Sequence, residues 1–399
     1  MKTEILRLDN FGRGITFYKD KICFIENTYP NEIIEFEITK ETSKYYEGKA
    51  IKITKPSNNR VESKCKYSNI CGGCSFQEYK YDEENKFKED KIKSLVKTQL
   101  KQKNIVKKIE YDKDYFYRNK ITLHGSNNNL GLYKNKTNEI INIDECNITN
   151  KRINAIIEKL KKYNDIKEVL VRTSNDEKQV IIDIKGKEQD YKELEEISDV
   201  LIINNKLITK NKSIITNIGS KKYYLSSNSF FQVNEFLTNK LFNKVLEYVK
   251  EIKPSNVLDL YCGTGSFGIY ISEYANKIIG VDYNKSNIED AIKNKELNNI
   301  KNIDFIADKV ENIINKFDNY DLIIVDPPRS GLDKKTIEYM IKINPKYIIY
   351  ISCDPNTLVR DLKLLNKEYI INEITPYNLF PKTYHVESVS VLERKSVEK

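Results

Sequence analysis

Short stretches in which apolar and polar residues alternate occupy the first part of the chain, and near residue 223 they give way to near-continuous apolar runs. Residues 1–55 hold Lys21-Ile-Cys-Phe-Ile25, Ile33-Ile-Glu-Phe-Glu-Ile38 and Ala50-Ile-Lys-Ile53, set apart by Gly12, Gly14, Pro30 and Gly48. Period-two alternation bounded by turn residues predicts short strands, here a small barrel. The polar, turn-rich Lys55-Pro-Ser-Asn-Asn-Arg60 reads as a linker. Phe87, Ile92, Leu95, Val96 and Leu100 then recur at roughly helical spacing, which predicts an amphipathic helix over about 76–103. From Tyr115 to about Lys222, the runs Glu168–Arg172 and Gln179–Asp183 alternate with a lysine-rich helical segment near 151–162, an α+β pattern.

Beyond 223 the apolar runs are Val257–Tyr261, Ile278–Asp282, Ile303–Ile306, Leu322–Asp326 and Tyr347–Ile351, with helical segments between them. Such strands are those of a mostly parallel sheet covered on both faces. The expected organisation is a barrel at 1–55, an α+β middle domain at 56–222 and an α/β domain at 223–399. Ligands of such a sheet sit at the carboxyl ends of its strands.

Composition narrows the class. At 399 residues and 39% hydrophobic content the chain supports two or three cored domains, despite a mean hydropathy of −0.59, and disorder and fibre are excluded. No stretch approaches the roughly 18 to 20 apolar residues of a membrane span, and Lys2, Glu4, Arg7 and Asp9 interrupt what would be a leader's apolar region. A cytoplasmic protein is expected. The 67 Lys+Arg exceed the 58 Asp+Glu by nine, a sign that favours a polyanion over a membrane as partner. Lysine abounds here together with Asn, Ile and Tyr, so charge by itself is weak support for nucleic acid.

The first strand of the α/β region runs into Asp259-Leu-Tyr-Cys-Gly263-Thr-Gly265-Ser-Phe-Gly268, and the second ends at Asp282, 19 residues after Gly263. Glycines let the backbone approach a nucleotide-like ligand, and an acid after the second strand suits ribose hydroxyls. Read literally, Gly263-x-Gly265-x-x-Gly268 is a dinucleotide fingerprint, which keeps a nicotinamide-dependent oxidoreductase open. Asp259 before the glycines and Asp326-Pro-Pro-Arg329 after the fourth strand favour S-adenosylmethionine instead. Its sulfonium and ammonium groups ask for carboxylates, whereas a pyrophosphate does not.

Asp326-Pro-Pro alone suggests methylation of an exocyclic amine. The fifth strand changes that reading, because Tyr350-Ile-Ser-Cys353-Asp-Pro355 puts a thiol beside the methyl donor. A thiol is needed when the target is C5 of a pyrimidine, which becomes nucleophilic only after a thiolate adds to C6. A base must later remove the C5 proton. Glu387, in Tyr384-His385-Val-Glu387, is the candidate, and His385 is one of only two histidines.

The seven cysteines are unevenly spaced. Cys65, Cys71 and Cys74 crowd together around Gly72-Gly73, Cys146 lies downstream, and Cys23 and Cys262 read as packing residues. Four thiolates hold either zinc or [4Fe-4S]. Only one C-x-x-C hook is present, unlike the paired hooks of zinc ribbons.

In their order along the chain, Phe230-Phe-Gln-Val-Asn234, Leu258-Asp-Leu-Tyr-Cys-Gly-Thr-Gly265, Asp326-Pro-Pro-Arg-Ser-Gly331, Ser352-Cys-Asp-Pro355 and His385-Val-Glu387 make a chain that resembles the RNA uracil-C5 methyltransferases. It is most similar to the 23S ribosomal RNA members with an iron-sulfur cluster. Leu6-Arg-Leu-Asp-Asn-Phe-Gly12-Arg-Gly14-Ile resembles the opening of a TRAM domain, an OB-like RNA-binding barrel, with Phe11, Arg13, Phe17, Tyr18 and Lys19 as binding materials. The resemblance implies a class I, Rossmann-like methyltransferase domain and a monomer that binds RNA, not membrane. It makes Cys353 the nucleophile and Glu387 the base. Gln232, Tyr261, Gly263, Gly265, Asp282, Asp308 and Asp326 would line the S-adenosylmethionine and target pocket. Cys65, Cys71, Cys74 and Cys146 would carry [4Fe-4S]. Two positions depart from the pattern: Tyr261 where Phe is common, and Asp354 where Asn often follows the nucleophile, whose charge would raise the thiol's pKa. A transfer RNA substrate, or a non-catalytic RNA-binding ribosome-assembly factor, are the alternative readings.

Overall fold

A computed structural model describes residues 1–126 and 129–396. Six strands open the chain: β1 (Lys2–Glu4), β2 (Arg7–Leu8), β3 (Gly14–Tyr18), β4 (Lys21–Ile25), β5 (Ile33–Glu41) and β6 (Tyr45–Lys55). They form one sheet in the order β1-β5-β6-β4-β3-β2. Alternation turns Ile5, Cys23, Ile25, Ile34, Phe36 and Tyr46 inward to a small shared core, and three register shifts between β5 and β6 bend the sheet.

Helix α1 (Tyr81–Leu95), extended by one wide turn over Val96–Leu100, carries Ile92, Val96 and Leu100 on one face. These pack in the same core as Leu358 and Leu362, far along the chain. A second sheet follows, built from β7 (Lys120–Ser126), β8 (Asn129–Tyr133), β9 (Ile140–Asn142), β10 (Ile166–Thr173), β11 (Val180–Gly186), β12 (Val200–Ile203) and β13 (Lys206–Leu207). Helix α2 (Lys151–Leu160) covers it with Ile153, Ile156, Ile157 and Leu160, and the Asn150 side chain accepts the Ile153 N–H to cap it. α3 (Lys192–Ile197) is a short connector.

The hairpin β14 (Ile214–Ile218) and β15 (Lys221–Leu225) spans the boundary expected at 222. Its Ile218, Tyr223 and Leu225 share a core with α4 (Glu235–Ile252) and the C-terminal sheet.

That sheet contains β16 (Asn256–Leu260), β17 (Lys277–Asp282), β18 (Ile303–Ala307), β19 (Leu322–Val325), β20 (Tyr347–Ser352), β21 (Tyr369–Tyr377) and β22 (Glu387–Arg394). The order is β18-β17-β16-β19-β20-β22-β21, with the first five strands parallel and β22 antiparallel to both neighbours. Helices α5 (Ser266–Ile271), α6 (Lys285–Leu297), α7 (Val310–Ile313), α8 (Lys334–Ile343) and α9 (Pro355–Leu365) connect the parallel strands and continue beyond β20. β16 and β19 are almost wholly buried, which explains their unbroken apolar runs. No helix among the described residues is long and apolar enough to cross a membrane.

Candidate active site

A cavity of about 750 Å³ opens at the carboxyl ends of the parallel strands. β16 leads into its floor through Tyr261, Gly263 and Gly265, all with positive φ, at +60°, +55° and +76°. Gly265 caps α5, and a Cβ there would lie 2.6 Å from the Phe305 ring, so only glycine fits both the torsion and the space. The Gly263 N–H donates to Asp282 Oδ2 at 3.1 Å, and Asp282 Oδ1 accepts from the Asn284 amide and Asn287 Nδ2. The acid at the end of β17 is thus clamped onto the glycine loop. The Tyr261 hydroxyl donates to Glu311 Oε1 at 2.7 Å.

Of the residues singled out by sequence, Gln232, Tyr261, Gly263, Asp282, Asp326, Cys353 and Glu387 line this one cavity, and His385 lines it too. Gly265 lies beneath the lining. Asp308 stands just outside it, its Oδ1 accepting from the Lys309 amide and Asn312 Nδ2, while Lys309 and Glu311 reach the wall. Asp259 faces away from the cavity. Its Oδ2 accepts the Gly268 N–H at 2.9 Å, bracing the start of α5, and its Oδ1 is buried without a partner. Burial, with the charges of Asp326 and Asp282 adding to it, pushes its pKa to about 7.

The antiparallel pairing of β20 with β22 decides how the reacting groups meet. Ser352 pairs with Ser388, and continuing that register outward brings Cys353 and Glu387 together in the cavity lining, near enough for the Glu387 charge to bear on the thiol. Glu387 is only 3% exposed. Burial first, and then the charge of Asp326, raises its pKa well above the carboxylate range, with Arg329 pulling the other way. Burial likewise lifts Asp326 to about 7. Cys353 is pushed up to about 12 by burial, then by Glu387 and Asp326, with Arg329 opposing. Asp354, expected to raise the thiol's pKa, is not among the leading causes: its carboxylate caps α9, accepting the Asn356 and Thr357 amides. Burial also lowers His385 to about 4, so its ring is neutral at working pH.

A thiol so protected should be unreactive until substrate arrives. Alkylation of Cys353 by iodoacetamide, followed by peptide mass spectrometry, should be at least about tenfold slower at pH 8 than for an ordinary cysteine of pKa near 8.5. The rate should still be climbing at pH 10. A plateau below pH 9 would contradict the shielding.

The sequence model of the tRNA (uracil-5-)-methyltransferase family matches residues 198–395. An RNA methyltransferase of Clostridium acetobutylicum is 31% identical over 96% of this chain and 95% of its own, and one of Aquifex aeolicus is 31% identical over 99% of each. The chain belongs to the RNA uracil-C5 methyltransferase family. The crystal structure of the Pyrococcus abyssi tRNA (uracil-54, C5)-methyltransferase with S-adenosyl-L-homocysteine covers 98% of this methyltransferase and is itself covered completely, at 26% identity and a TM-score of 0.81. The Rossmann-like reading of the C-terminal sheet agrees with it.

Sequence reasoning missed several lining residues of this methyltransferase. Arg118 enters from the start of the middle sheet, Phe230 and Phe380 close the rim, and Tyr283, 67% exposed, follows Asp282 at the end of β17. An aromatic residue directly after a strand-end acid was a usable signal; Arg118 carried none.

The four clustered cysteines are all free thiols, half-buried rather than fully exposed. Among the described residues, no group of three or more His, Cys, Asp or Glu side chains is disposed to hold a metal ion. The thiols nevertheless sense one another. Cys74 is raised by burial and then by Cys146, Cys71 and Cys65, and Cys146 is raised to about 11 by burial, with Cys71 adding. Four soft sulfurs from two stretches of chain thus lie within electrostatic reach of one another, a donor set of thiophilic chemistry, without being drawn together as a ligand group.

Proposed function

We propose that this RNA methyltransferase transfers a methyl group from S-adenosylmethionine to C5 of a uridine, in 23S ribosomal RNA, through a covalent bond between Cys353 and C6. The observation that carries this reading is the β20–β22 register, which sets a shielded thiol across from a buried, proton-avid carboxylate. S-adenosylmethionine supplies an electrophilic methyl on a sulfonium. The cavity suits it: Asp282 offers a ribose acceptor, Gly263 and Gly265 allow close approach, and Tyr283 offers an aromatic face.

Cys353 Sγ attacks C6 of the uracil, and the C5–C6 π electrons move toward O4. The thiol proton passes to Asp326, leaving Glu387 ionised for the later step. C5 then takes the methyl group. Glu387 removes the C5 proton, the electrons restore the C5–C6 double bond, and the Cys353 thiolate leaves. A carboxylate whose pKa is raised by burial is the stronger base for that last step. Asp326-Pro-Pro walls the pocket into which the uracil is splayed.

Cys65, Cys71, Cys74 and Cys146 are proposed to hold a [4Fe-4S] cluster in preference to zinc. Anaerobically purified protein should contain about four iron and four sulfide per chain, with Cys74→Ser losing both. Zinc at one per chain with no iron would replace the cluster by a zinc site. The N-terminal sheet is proposed to be a TRAM-like RNA platform, supported by Phe11 and Phe17, each more than half exposed; Tyr18 instead packs on Phe36 and Tyr46.

Nucleoside mass spectrometry after incubation with S-adenosylmethionine and unmodified 23S ribosomal or transfer RNA, in separate tubes, tests the reading. 5-Methyluridine in the ribosomal tube is expected. Its appearance only in transfer RNA would move the substrate to that of the Pyrococcus abyssi protein, and none in either would favour an assembly factor.

A further inference from the structure

Glu387 and His385 stand at the end of the loop 378–386 between β21 and β22, and this loop is held chiefly by residues from the first third of the chain. Glu84 and Lys88, one turn apart on α1, are both completely buried. Lys88 Nζ donates to Glu84 Oε1 at 2.7 Å, to Asn378 Oδ1 at 2.5 Å and to the Phe380 carbonyl at 3.1 Å. Asn378 Nδ2 returns a bond to Glu84 Oε1, and the Lys382 N–H reaches both Glu84 oxygens, at 3.0 and 3.1 Å. Lys382 has φ +66°, a strained value for a residue with a side chain, so its backbone must be held there. Its carbonyl accepts the amides of Ser75 and Phe76, directly after Cys74, and the buried Tyr117 hydroxyl donates to the Pro381 carbonyl.

A buried ion pair with this many bonds adds little to net stability over a pair of apolar residues, and its value lies in fixing one geometry. What it fixes here is the loop ahead of the base. We propose that Glu84, with Lys88, is a positioning residue for proton removal: it acts through the Lys382 amide to hold His385 and Glu387 in place against Cys353. The proposal rests on the roles of Cys353 and Glu387 given above.

The test is the double variant Glu84→Leu/Lys88→Leu, which removes both charges together and leaves none unpaired. The gentler Glu84→Gln keeps one oxygen for the Lys382 amide and decides the matter should the double variant not fold. Lys88, already lowered to about 8 by burial, readily gives up its proton beside a neutral Gln. Both variants should bind S-adenosylmethionine as the parent does. The double variant should lose at least tenfold in kcat with the KM for RNA unchanged, exchange the amides of 378–385 at least tenfold faster, and accumulate protein-linked RNA. Glu84→Gln should shift each readout less and in the same direction. Parental kcat, or a fall in kcat without linked RNA, would overturn the proposal. Glu387→Gln run beside them separates the two ideas: if it accumulates no linked RNA, the assignment of Glu387 fails on its own account. Loop exchange in the Glu84 variants then still reports whether α1 holds the loop.

Discussion

Cys353→Ala is expected to abolish 5-methyluridine formation, by on the order of 10⁴-fold or more in kcat, because C5 is a poor nucleophile until a thiolate has added to C6. The fold should survive. Cys353 follows the last residue of β20, and Asp354 rather than the thiol caps α9, so removing one sulfur leaves the sheet and the helix start intact. Cofactor affinity should also be unchanged, since the glycine loop and Asp282 are braced by their own bonds. Isothermal titration with S-adenosyl-L-homocysteine and nucleoside mass spectrometry check the two halves together. Appreciable residual methylation would show that the thiol is not the nucleophile. A variant that binds neither cofactor nor RNA would show that Cys353 serves structure instead.

The parallel part of the C-terminal sheet was legible because its strands are buried on both faces, which leaves unbroken apolar runs such as Leu322–Val325. Glycines and strand-end acids then marked the cavity floor. What stayed hidden depends on long-range pairing. Nothing in the order of residues says that β22 inserts between β20 and β21, yet that insertion is what sets Glu387 across from Cys353. Side-chain direction was equally hidden. Asp259 and Asp354 carry the right chemistry close to the site in sequence, but the first braces Gly268 and the second caps a helix. Helix α1 was legible as an amphipathic element, whereas the buried Glu84 and Lys88 break its apolar stripe. They make sense only against Asn378 and Lys382, nearly 300 residues away.

Glu387→Gln should separate the two halves of the reaction. Glutamine keeps the size of the side chain but cannot take the C5 proton, so the thiol adds, the methyl group transfers, and elimination stalls. RNA covalently attached to protein should then accumulate toward one per chain, as a shifted band on denaturing gels that is absent from Cys353→Ala and from Cys353→Ala/Glu387→Gln. The thiol should also become easier to ionise, because Glu387 is the foremost charge holding its pKa up. Stability gives an independent handle. The folded-state pKa of Glu387 is raised, so between its unfolded value near 4.3 and the folded value the native state binds more protons than the unfolded state, and stability falls as pH rises. Glutamine removes that slope. The variant should therefore be at least as stable as the parent at pH 8, with the advantage fading toward pH 4. A folded variant that turns over normally, or stalls without linked RNA, would assign proton removal to another group. Asp326 is then the nearest in charge coupling, and Asp326→Asn the variant to trap the adduct.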